Sequence, residues 1–253
     1  MNSNTTYVIT GVNRGLGLGL LKALVVRPYT TVIGTVRSEA AATGLKAHNI
    51  SIGVGSHLYI AIIDLSTAPS PIAIKDAVNS AVGNSLDHVD VLINNAGVCP
   101  RMTLAAETTA EDLRIVFETN TIAPLMVFQA LWPLMRRSKS EPKLIMMSSS
   151  VGSIGQSELL PGGAYGASKA ALNWITRSLH LQTEREGLVA VALHPGWVQT
   201  RAGSFVAEQW GYASGPPDTL ESSVRDILGT IDEATRTDLG GKFITQTRRH
   251  IDW

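Results

Sequence analysis

The sequence predicts an α/β fold, in which one domain is built around a parallel β-sheet with helices on both faces. Short, nearly continuous apolar runs alternate along the chain with longer segments of helical periodicity. Strands that are apolar on both sides are buried on both faces, which is typical of a parallel sheet. No linker rich in Pro, Gly or Ser divides residues 1–253, and a chain of 253 residues suits one large α/β domain.

The predicted elements alternate as strand, helix and strand along the whole chain. Seven strands are predicted, at Tyr7–Thr10, Thr31–Val36, Leu58–Ile63, Val89–Ile93, Lys143–Met147, Leu188–Leu193 and Lys242–Thr245. Six crossover helices are predicted, at Gly15–Arg27, Ser38–His48, Ile72–Asn84, Thr109–Arg137, Gly163–Glu186 and Asp218–Glu233. This order indicates a doubly wound, Rossmann-type sheet of about seven strands. The long irregular stretch Gly203–Pro217 predicts a functional lid or a disordered loop.

Charge and cysteine content argue against several classes of function. The chain carries 21 basic and 21 acidic residues, so no nucleic-acid partner is expected. A single cysteine, Cys99, forms no intrachain disulfide and fits a reducing compartment. The N-terminus lacks a signal-peptide pattern, and no apolar run approaches the roughly 20 residues of a membrane span. We therefore expect a cytoplasmic protein without a membrane partner. The six histidines are scattered, which predicts neither a metal site nor a Ser-His-Asp triad.

A glycine-rich turn follows the first predicted strand and precedes the first predicted helix. It contains Gly11, Gly15 and Gly17 in the sequence GVNRGLG. Glycines let the backbone approach a pyrophosphate, and the free N–H groups of a helix N-terminus attract it. The spacing is GxxxGxG and not the common GxGxxG. A glycine cluster alone indicates only a tight turn, but after the first strand of a doubly wound sheet it predicts nucleotide binding.

The end of the second predicted strand indicates which cofactor binds. NAD-binding proteins of this fold carry an acidic residue there, which accepts hydrogen bonds from ribose hydroxyls. Here Arg37 follows the strand, and Arg14 lies in the glycine turn. Glu39 is the competing candidate, and we interpret it as a first-turn helix residue behind Ser38 as N-cap. Because arginines suit a 2′-phosphate, the predicted cofactor is NADP(H) and not NAD.

Tyr165 and Lys169 are the predicted centre of the chemistry. Residues four apart on a helix lie on one face, and a neighbouring ammonium lowers the pKa of a phenol. A tyrosine tuned in this way can exchange a proton with a substrate oxygen. A serine triplet, at residues 148–150, follows a predicted buried strand and would deliver hydroxyls at its carboxyl end. The Tyr-Lys pair alone is a weak signal, because an ordinary interfacial tyrosine and a solvent-exposed helix lysine can occur at the same spacing.

Taken together, these motifs resemble the classical short-chain dehydrogenase/reductase family. In the family's order the chain carries TGVNRGLG at 10–17, Asp64-Leu65, NNAG at 94–97, Asn120, the serine triplet, Tyr165-x-x-x-Lys169 and PGWVQT at 195–200. The opening of the chain and the long gap between the serines and Tyr165 resemble the carbonyl-reductase-like branch. That branch contains sniffer-type reductases and fungal enzymes similar to norsolorinic acid ketoreductase.

The resemblance implies a catalytic set of Asn120, Ser149, Tyr165 and Lys169. Ser150 is the alternative to Ser149. We prefer Ser149, because the GSI sequence at 152–154 then lies where carbonyl-reductase-like members carry it. Tyr165 is expected to donate a proton, and Ser149 to fix the substrate oxygen. Lys169 is expected to lower the tyrosine pKa and bind the nicotinamide ribose, while Asn120 holds a water of a proton relay.

The residues implied in cofactor binding are spread over the whole length of the chain. They are Gly11, Asn13, Arg14, Gly15, Leu16, Gly17, Arg37, Asp64, Leu65, Asn95, Ala96, Gly97, Tyr165, Lys169, Pro195, Gly196, Val198 and Thr200. Asp64 is expected at the adenine edge, and the PGWVQT segment around the nicotinamide. His194 is expected to pack, and Cys99 to form a small part of the substrate-side wall.

The function implied by the resemblance is reduction of a ketone or aldehyde by NADPH, with a small carbonyl or alcohol compound, such as one from fungal secondary metabolism, as partner. The alternative is a cofactor-binding protein with a non-redox role, as isomerase, cyclase or nucleotide-sensing regulator. The complete set of four catalytic residues argues against the alternative. Pairing into a homodimer or homotetramer through helices Thr109–Arg137 and Gly163–Glu186 is implied, although this branch also includes monomers.

Overall fold

A computed structural model describes residues 4–83, 86–156 and 159–253. Its strands are β1 (Thr5–Ile9), β2 (Thr30–Val36), β3 (His57–Ile62), β4 (Val91–Asn94), β5 (Lys143–Met147), β6 (Val189–His194) and β7 (Phe243–Thr245). Its α-helices are α1 (Gly15–Val25), α2 (Glu39–Lys46), α3 (Pro71–Val82), α4 (Ala110–Phe117), α5 (Ala123–Met135), α6 (Gly163–Gln182), α7 (Arg201–Gln209) and α8 (Leu220–Glu233).

The strands form one parallel sheet in the order β3-β2-β1-β4-β5-β6-β7. Val8 of β1 lies opposite Ile33 of β2 on one side and Leu92 of β4 on the other. The chain therefore builds the sheet outward from β1 in one direction and from β4 in the other. Such a reversal opens a crevice outside the carboxyl ends of the two strands, where ligands of doubly wound proteins bind.

The core lies on both faces of the sheet because alternate strand residues point to opposite sides. Val8 and Leu92 are fully buried in the cluster that contains side chains of α3, α5 and α6. Their neighbours Ile9 and Ile93 are fully buried in the cluster that contains side chains of α1 and α8. Each such side chain stabilises the fold by about 1.5–3 kcal/mol. The predicted doubly wound sheet with seven parallel strands is confirmed.

The predicted helix Thr109–Arg137 contains a local change of helix type. Helices α4 and α5 are joined by a π-helical turn, Glu118–Ile122, in which the Ala123 N–H donates to the Glu118 carbonyl. Single π-turns inside α-helices are rare and are found mostly at functional sites. The predicted helix end at Asn84 lies outside the described residues, and α3 ends at Val82.

The prediction of one irregular stretch over Gly203–Pro217 is wrong in its first part. Helix α7 covers Arg201–Gln209, and Thr200 caps it by accepting a hydrogen bond from the Gly203 N–H at 3.2 Å. Its Gly and Ser residues are poor helix formers, which weakens the sequence signal. Tertiary burial of Val206 and Ala207 stabilises the helix in spite of this. Residues 210–217 contain turns and no helix.

One helical run, Ala110–Met135, passes a test of length and composition for a membrane span, although the sequence prediction did not single it out. More than half of its most apolar stretch, 56%, is buried inside the protein. Core helices of soluble proteins pass the same test. The buried side chains of α5, among them Val127 and Leu131, pack with those of β1, β4 and β5.

Candidate active site

The glycine turn at the end of β1 is fastened to the end of β4. The Thr10 hydroxyl accepts hydrogen bonds from the N–H groups of Asn95 and Ala96 at 3.0 and 2.9 Å. The Asn95 side chain in turn donates to the carbonyls of Thr10 at 2.8 Å and Gly11 at 3.2 Å. The Asn95 side-chain amide therefore stabilises the glycine turn. Because its nitrogen is used in this way, the backbone of residues 95–97 is the part that can contact a ligand.

The three glycines of the turn serve two purposes. A Cβ at Gly17 would lie 2.2 Å from the Gly11 carbonyl oxygen, and a Cβ at Gly11 would lie 3.0 Å from Ala96 Cα, so both permit close packing. Gly15 has φ of +55°, and a Cβ there would have Thr200 Cγ2 as its nearest neighbour at 3.7 Å. The start of α1 thus lies beside Thr200, and the Arg14 side chain does not cap the helix. Uncapped N–H groups at a helix start fit the pyrophosphate of a dinucleotide.

Arg14, Arg37 and Asp64 are the residues expected at the adenosine end of the cofactor. Both arginines are exposed, and within the described part of the chain neither makes a hydrogen bond or a salt bridge with a side chain. Asp64 Oδ1 accepts hydrogen bonds from the N–H and hydroxyl of Ser66 at 3.0 and 2.7 Å, which lower the pKa of Asp64, with a smaller contribution from the nearby Arg37. The Leu65 side chain is buried in the core.

The π-helical turn places Asn120, fully buried, against the segment that follows β4. Asn120 Oδ1 accepts from the Val98 N–H at 2.8 Å, and its Nδ2 donates to the Val98 carbonyl at 2.9 Å and to Ser168 Oγ at 3.2 Å. A Cβ at Gly97 would lie 3.2 Å from Asn120 Oδ1 and 3.8 Å from Lys169 Nζ. Asn120, Gly97 and Lys169 therefore meet in one place, and the side chain of Asn120 is engaged in holding them.

Each of the three serines after β5 makes a different contact. Ser148 Oγ donates to Asn173 Oδ1 at 2.5 Å in the buried core, and the Ser150 N–H donates to His194 Nδ1 at 3.1 Å. Ser149 caps the short helical turn Ser150–Gly152 by accepting a hydrogen bond from the Val151 N–H at 3.3 Å, and its side chain lies close enough to Tyr165 to affect the pKa of the phenol. The structure thus brings Ser149, and not the other two, to Tyr165. Burial lowers the pKa of His194 to about 4, so its ring is neutral and packed, as expected.

Tyr165 and Lys169 lie one turn apart near the start of α6. Lys169 Nζ lies 5.5 Å from the centre of the Tyr165 ring and donates a hydrogen bond to the Met147 carbonyl at 2.7 Å. Burial, with a smaller contribution from Cys99, raises the pKa of Tyr165, and the neighbouring Ser149 side chain only opposes that rise. In the structure the phenol is therefore protonated at neutral pH, and the expectation that Lys169 lowers its pKa is wrong, because burial raises it.

The ammonium of Lys169 and the thiol of Cys99 are also shifted by burial. Burial lowers the pKa of Lys169 to about 8, opposed by Cys99, so the ammonium keeps most of its charge at pH 7. Burial raises the pKa of Cys99 to about 11, opposed by Lys169. These contributions place Cys99 close to both catalytic candidates, and its thiol is neutral, which suits a wall residue and not a nucleophile.

The segment after β6 borders the same edge of the sheet. Gly196 has φ of +87°, which favours glycine, and the Trp197 N–H donates to Asp218 Oδ2 at 2.8 Å. The Pro195 carbonyl accepts from Ser223 Oγ at 2.7 Å, and the Val198 side chain is buried. These bonds fix the PGWVQT segment beside Gly15, with Thr200 as its nearest member.

Comparison with known proteins identifies the family. A sequence model described as short chain dehydrogenase matches residues 5–210. The chain belongs to the short-chain dehydrogenase family. Members of this family are oxidoreductases that bind a nicotinamide cofactor. The glycine turn and the uncapped start of α1 fit such a group. The resemblance predicted from the motifs is confirmed.

Relatives from fungi and animals match this chain over nearly its whole length. Short-chain dehydrogenase RED3 of Pyricularia oryzae is 38% identical, over 97% of this chain and 96% of the relative. Norsolorinic acid ketoreductase nor1 of Dothistroma septosporum is 32% identical, over 96% of this chain and 90% of the relative. Among solved structures, the carbonyl reductase Sniffer of D. melanogaster superposes with a TM-score of 0.81 at 29% identity. The NADPH-bound carbonyl reductase from chicken fatty liver gives 0.80 at 30% identity, and both matches cover 100% of both chains.

Two residues of the site had no role in the sequence prediction. Thr10, the first residue of the glycine motif, holds the β4 end with its hydroxyl, and Asn173 holds the serine turn through Ser148 Oγ and the Gly152 carbonyl. Asn173 lies four residues after Lys169 on the same helix, so helical spacing could have indicated it. Nothing in its sequence neighbourhood indicates that its partner is Ser148.

Proposed function

We propose that the protein is an NADPH-dependent carbonyl reductase that converts a ketone or aldehyde into an alcohol. The observation that carries the proposal is the meeting of Ser149, Tyr165 and Lys169 at the carboxyl edge of the sheet, next to the glycine turn. Similarity to the carbonyl reductases and ketoreductase named above supports the same reaction.

The choice of NADP(H) over NAD(H) rests on Arg14 and Arg37. Both guanidinium groups are exposed at the adenosine end, and neither is engaged by another side chain of the described residues. A 2′-phosphate would receive charge-assisted hydrogen bonds from them, each contributing about 1.5–3 kcal/mol. Asp64 is held by Ser66, and the charge of Arg37 makes only a small contribution to the lowered pKa of Asp64.

In this mechanism bound NADPH supplies a hydride to the carbonyl carbon. Tyr165 donates its phenolic proton to the carbonyl oxygen, so that the product is a neutral alcohol. The Ser149 hydroxyl donates a hydrogen bond to the same oxygen and stabilises the negative charge that develops there. The nearness of the Ser149 side chain to Tyr165 supports this role, because two neighbouring hydroxyls can reach the same substrate oxygen. The raised pKa of Tyr165 keeps the proton in place until the oxygen becomes basic.

Lys169 and Asn120 act after the proton has left Tyr165. The Lys169 ammonium, 5.5 Å from the ring centre, stabilises the tyrosinate that remains. Its bond to the Met147 carbonyl would be shared with or exchanged for the ribose of the cofactor. Asn120 aligns the Gly97–Val98 backbone beside the ammonium, where a water of a relay to solvent would be bound.

A substrate panel tests the proposal. The purified protein is mixed with NADPH and a series of aromatic and aliphatic ketones, and the loss of NADPH absorbance is recorded. We expect oxidation of NADPH with at least one class of ketone, and none by Tyr165→Phe under the same conditions. Tight NADPH binding with no oxidation by any carbonyl compound would contradict the proposal and favour a non-redox role.

We also propose that the protein pairs through α4, α5 and α6 in the cytoplasm. The apolar side chains of Ile115 on α4, Ile122 in the π-helical turn before α5, and Trp174 on α6 are exposed. Exposed apolar groups on neighbouring helices suit a second copy of the chain. Light scattering, which measures the mass in solution, tests this. We expect Ile122→Asp to convert a dimer into a monomer. A monomeric wild type would contradict the pairing.

A further inference from the structure

Residues 251–253 form a short strap at the open edge of the sheet. After β7 the chain turns back, and the Ile251 N–H donates to the Phe243 carbonyl at 2.9 Å. The Trp253 ring stacks on Phe243 with 5.8 Å between ring centres, and the Arg177 guanidinium lies 5.6 Å from the Trp253 ring centre. The strap is therefore anchored to both the sheet and α6.

The strap binds the loop that connects the serine turn to α6. The Trp253 carbonyl accepts hydrogen bonds from the N–H groups of Ile154 at 3.1 Å and Gly155 at 2.8 Å. The Asp252 carbonyl accepts from Ser153 Oγ at 2.6 Å, and Ser153 Oγ accepts from the Gln156 N–H at 2.9 Å. Four consecutive residues of the loop are thus held, beginning four residues after Ser149.

The other end of this loop is held by an aromatic cluster. Trp210 Nε1 donates to the Pro161 carbonyl at 2.9 Å, and the Trp210 ring lies edge-on to Trp197 with 5.5 Å between centres. Between the two attachments, Leu159 and Leu160 are exposed. The loop follows Ser149 and precedes Tyr165 in the sequence, so its two ends lead directly to the two catalytic candidates.

One face of α6 connects the strap to the catalytic centre. Lys169, Asn173 and Arg177 follow one another at intervals of four residues, and each binds a different part of the site. Lys169 donates to the end of β5, Asn173 donates to the Gly152 carbonyl, and Arg177 lies over Trp253. The strap and the serine turn therefore share a single rigid support.

We infer that the strap, with Trp253 as its anchor, is a positioning element that fixes the loop and thereby determines which carbonyl substrates fit the site. This inference rests on the proposed function. Attachment at residues 153–156 on one side and at Pro161 on the other restricts the conformations open to Leu159 and Leu160, which lowers the entropy lost when a bulky substrate binds. Trp253 touches neither Ser149 nor Tyr165, so its effect should fall on substrate binding and not on the chemical step.

The test combines hydrogen exchange with steady-state kinetics on Trp253→Ala. We expect faster amide exchange in the peptide that contains Ile154 and Gly155. We also expect KM for a bulky aromatic ketone to rise about tenfold, with kcat and the Kd of NADPH within about twofold of wild type and a smaller change for a small ketone. Trp253→Phe keeps the stacking on Phe243 and is expected to restore both readouts.

Trp132→Ala is the matched control, because Trp132 stacks on Phe128 at a similar 5.2 Å on another part of the fold. It measures the general loss of stability and should leave the exchange of the loop unchanged. Unchanged amide exchange in Trp253→Ala would contradict the inference that the strap fixes the loop. Faster exchange with an unchanged KM would contradict the role of the strap in substrate selection. If wild type reduces no ketone, the proposed function fails, and the exchange result still decides whether the strap fixes the loop.

Discussion

The glycine turn and the serine turn lie at the same edge of the sheet, yet they hold their charged and polar groups differently. At the glycine turn, Thr10 and Asn95 brace the backbone while Arg14 and Arg37 extend into solvent. Around the serine turn, the buried Lys169 is bound to a backbone carbonyl. Exposed arginines can be removed one at a time at a modest cost in binding, whereas the buried groups act together. We therefore expect the loss of one arginine to weaken cofactor binding by degrees, and the loss of one buried group to abolish turnover.

The strongest test of this difference is Tyr165→Phe. Because only the proton donor is lost, we expect kcat to fall by roughly 10²–10⁴-fold while the Kd of NADPH stays nearly unchanged. Stopped-flow kinetics and fluorescence titration measure the two quantities. Tyr212→Phe, at an exposed tyrosine, is the control. Substantial turnover by Tyr165→Phe would remove the distinction between the two halves of the site.

The next test compares two neighbouring serines. Ser149→Ala should lower kcat by roughly 10²-fold, since a hydrogen-bond donor to the developing negative charge is lost. Ser150→Ala should change kcat by only a few-fold, because its contact with His194 uses the backbone N–H. A larger loss in Ser150→Ala would move the catalytic serine by one position.

A smaller effect is expected at the glycine turn. Arg37→Ala should raise KM for NADPH about tenfold and leave KM for NADH nearly unchanged, because one charge-assisted hydrogen bond to the 2′-phosphate is lost. Measuring kcat/KM for both cofactors in wild type and variant shows the change in preference. Arg114→Ala, at a similarly exposed arginine on α4, is the control. Equal use of both cofactors by wild type would mean that these arginines do not bind phosphate.

The smallest expected effect is the dependence of kcat/KM on pH. The Tyr165 pKa is raised, so its proton is present through the neutral range, while the Lys169 pKa is lowered to about 8. The ammonium is charged below that value and neutral above it, where it no longer stabilises the tyrosinate. We therefore expect kcat/KM for ketone reduction to fall as pH rises through about 8, by at most about tenfold per pH unit. A rate of reduction that increases over this range would contradict the role of Lys169.

The parts of the molecule that depend on local sequence could be predicted. Apolar runs gave the seven strands, and the glycine turn and the Tyr165–Lys169 pair could be recognised because their spacing follows from turn and helix geometry. Arg37 was predicted at the strand end, and the structure places it there, exposed.

The parts that depend on contacts between distant segments could not be predicted. The Ser153 hydroxyl bonds the Asp252 carbonyl across 99 residues of sequence, and no local pattern indicates that pairing. Helix α7 depends on burial of Val206 and Ala207, which outweighs the weak helical propensity of its residues. The pKa of Tyr165 was expected to be governed by its charged neighbour, but burial governs it.

The face of α6 that carries Lys169, Asn173 and Arg177 constrains how this chain can change in length. Inserting one residue between any two of them would rotate the rest of the helix by roughly 100° and turn the later members away from their partners. The loop between the serine turn and α6 carries no such phase relationship, and it can be lengthened or shortened between its two attachments. Variation in substrate range, in nature or in directed evolution, is therefore expected as insertions and deletions in that loop, over an α6 of constant length.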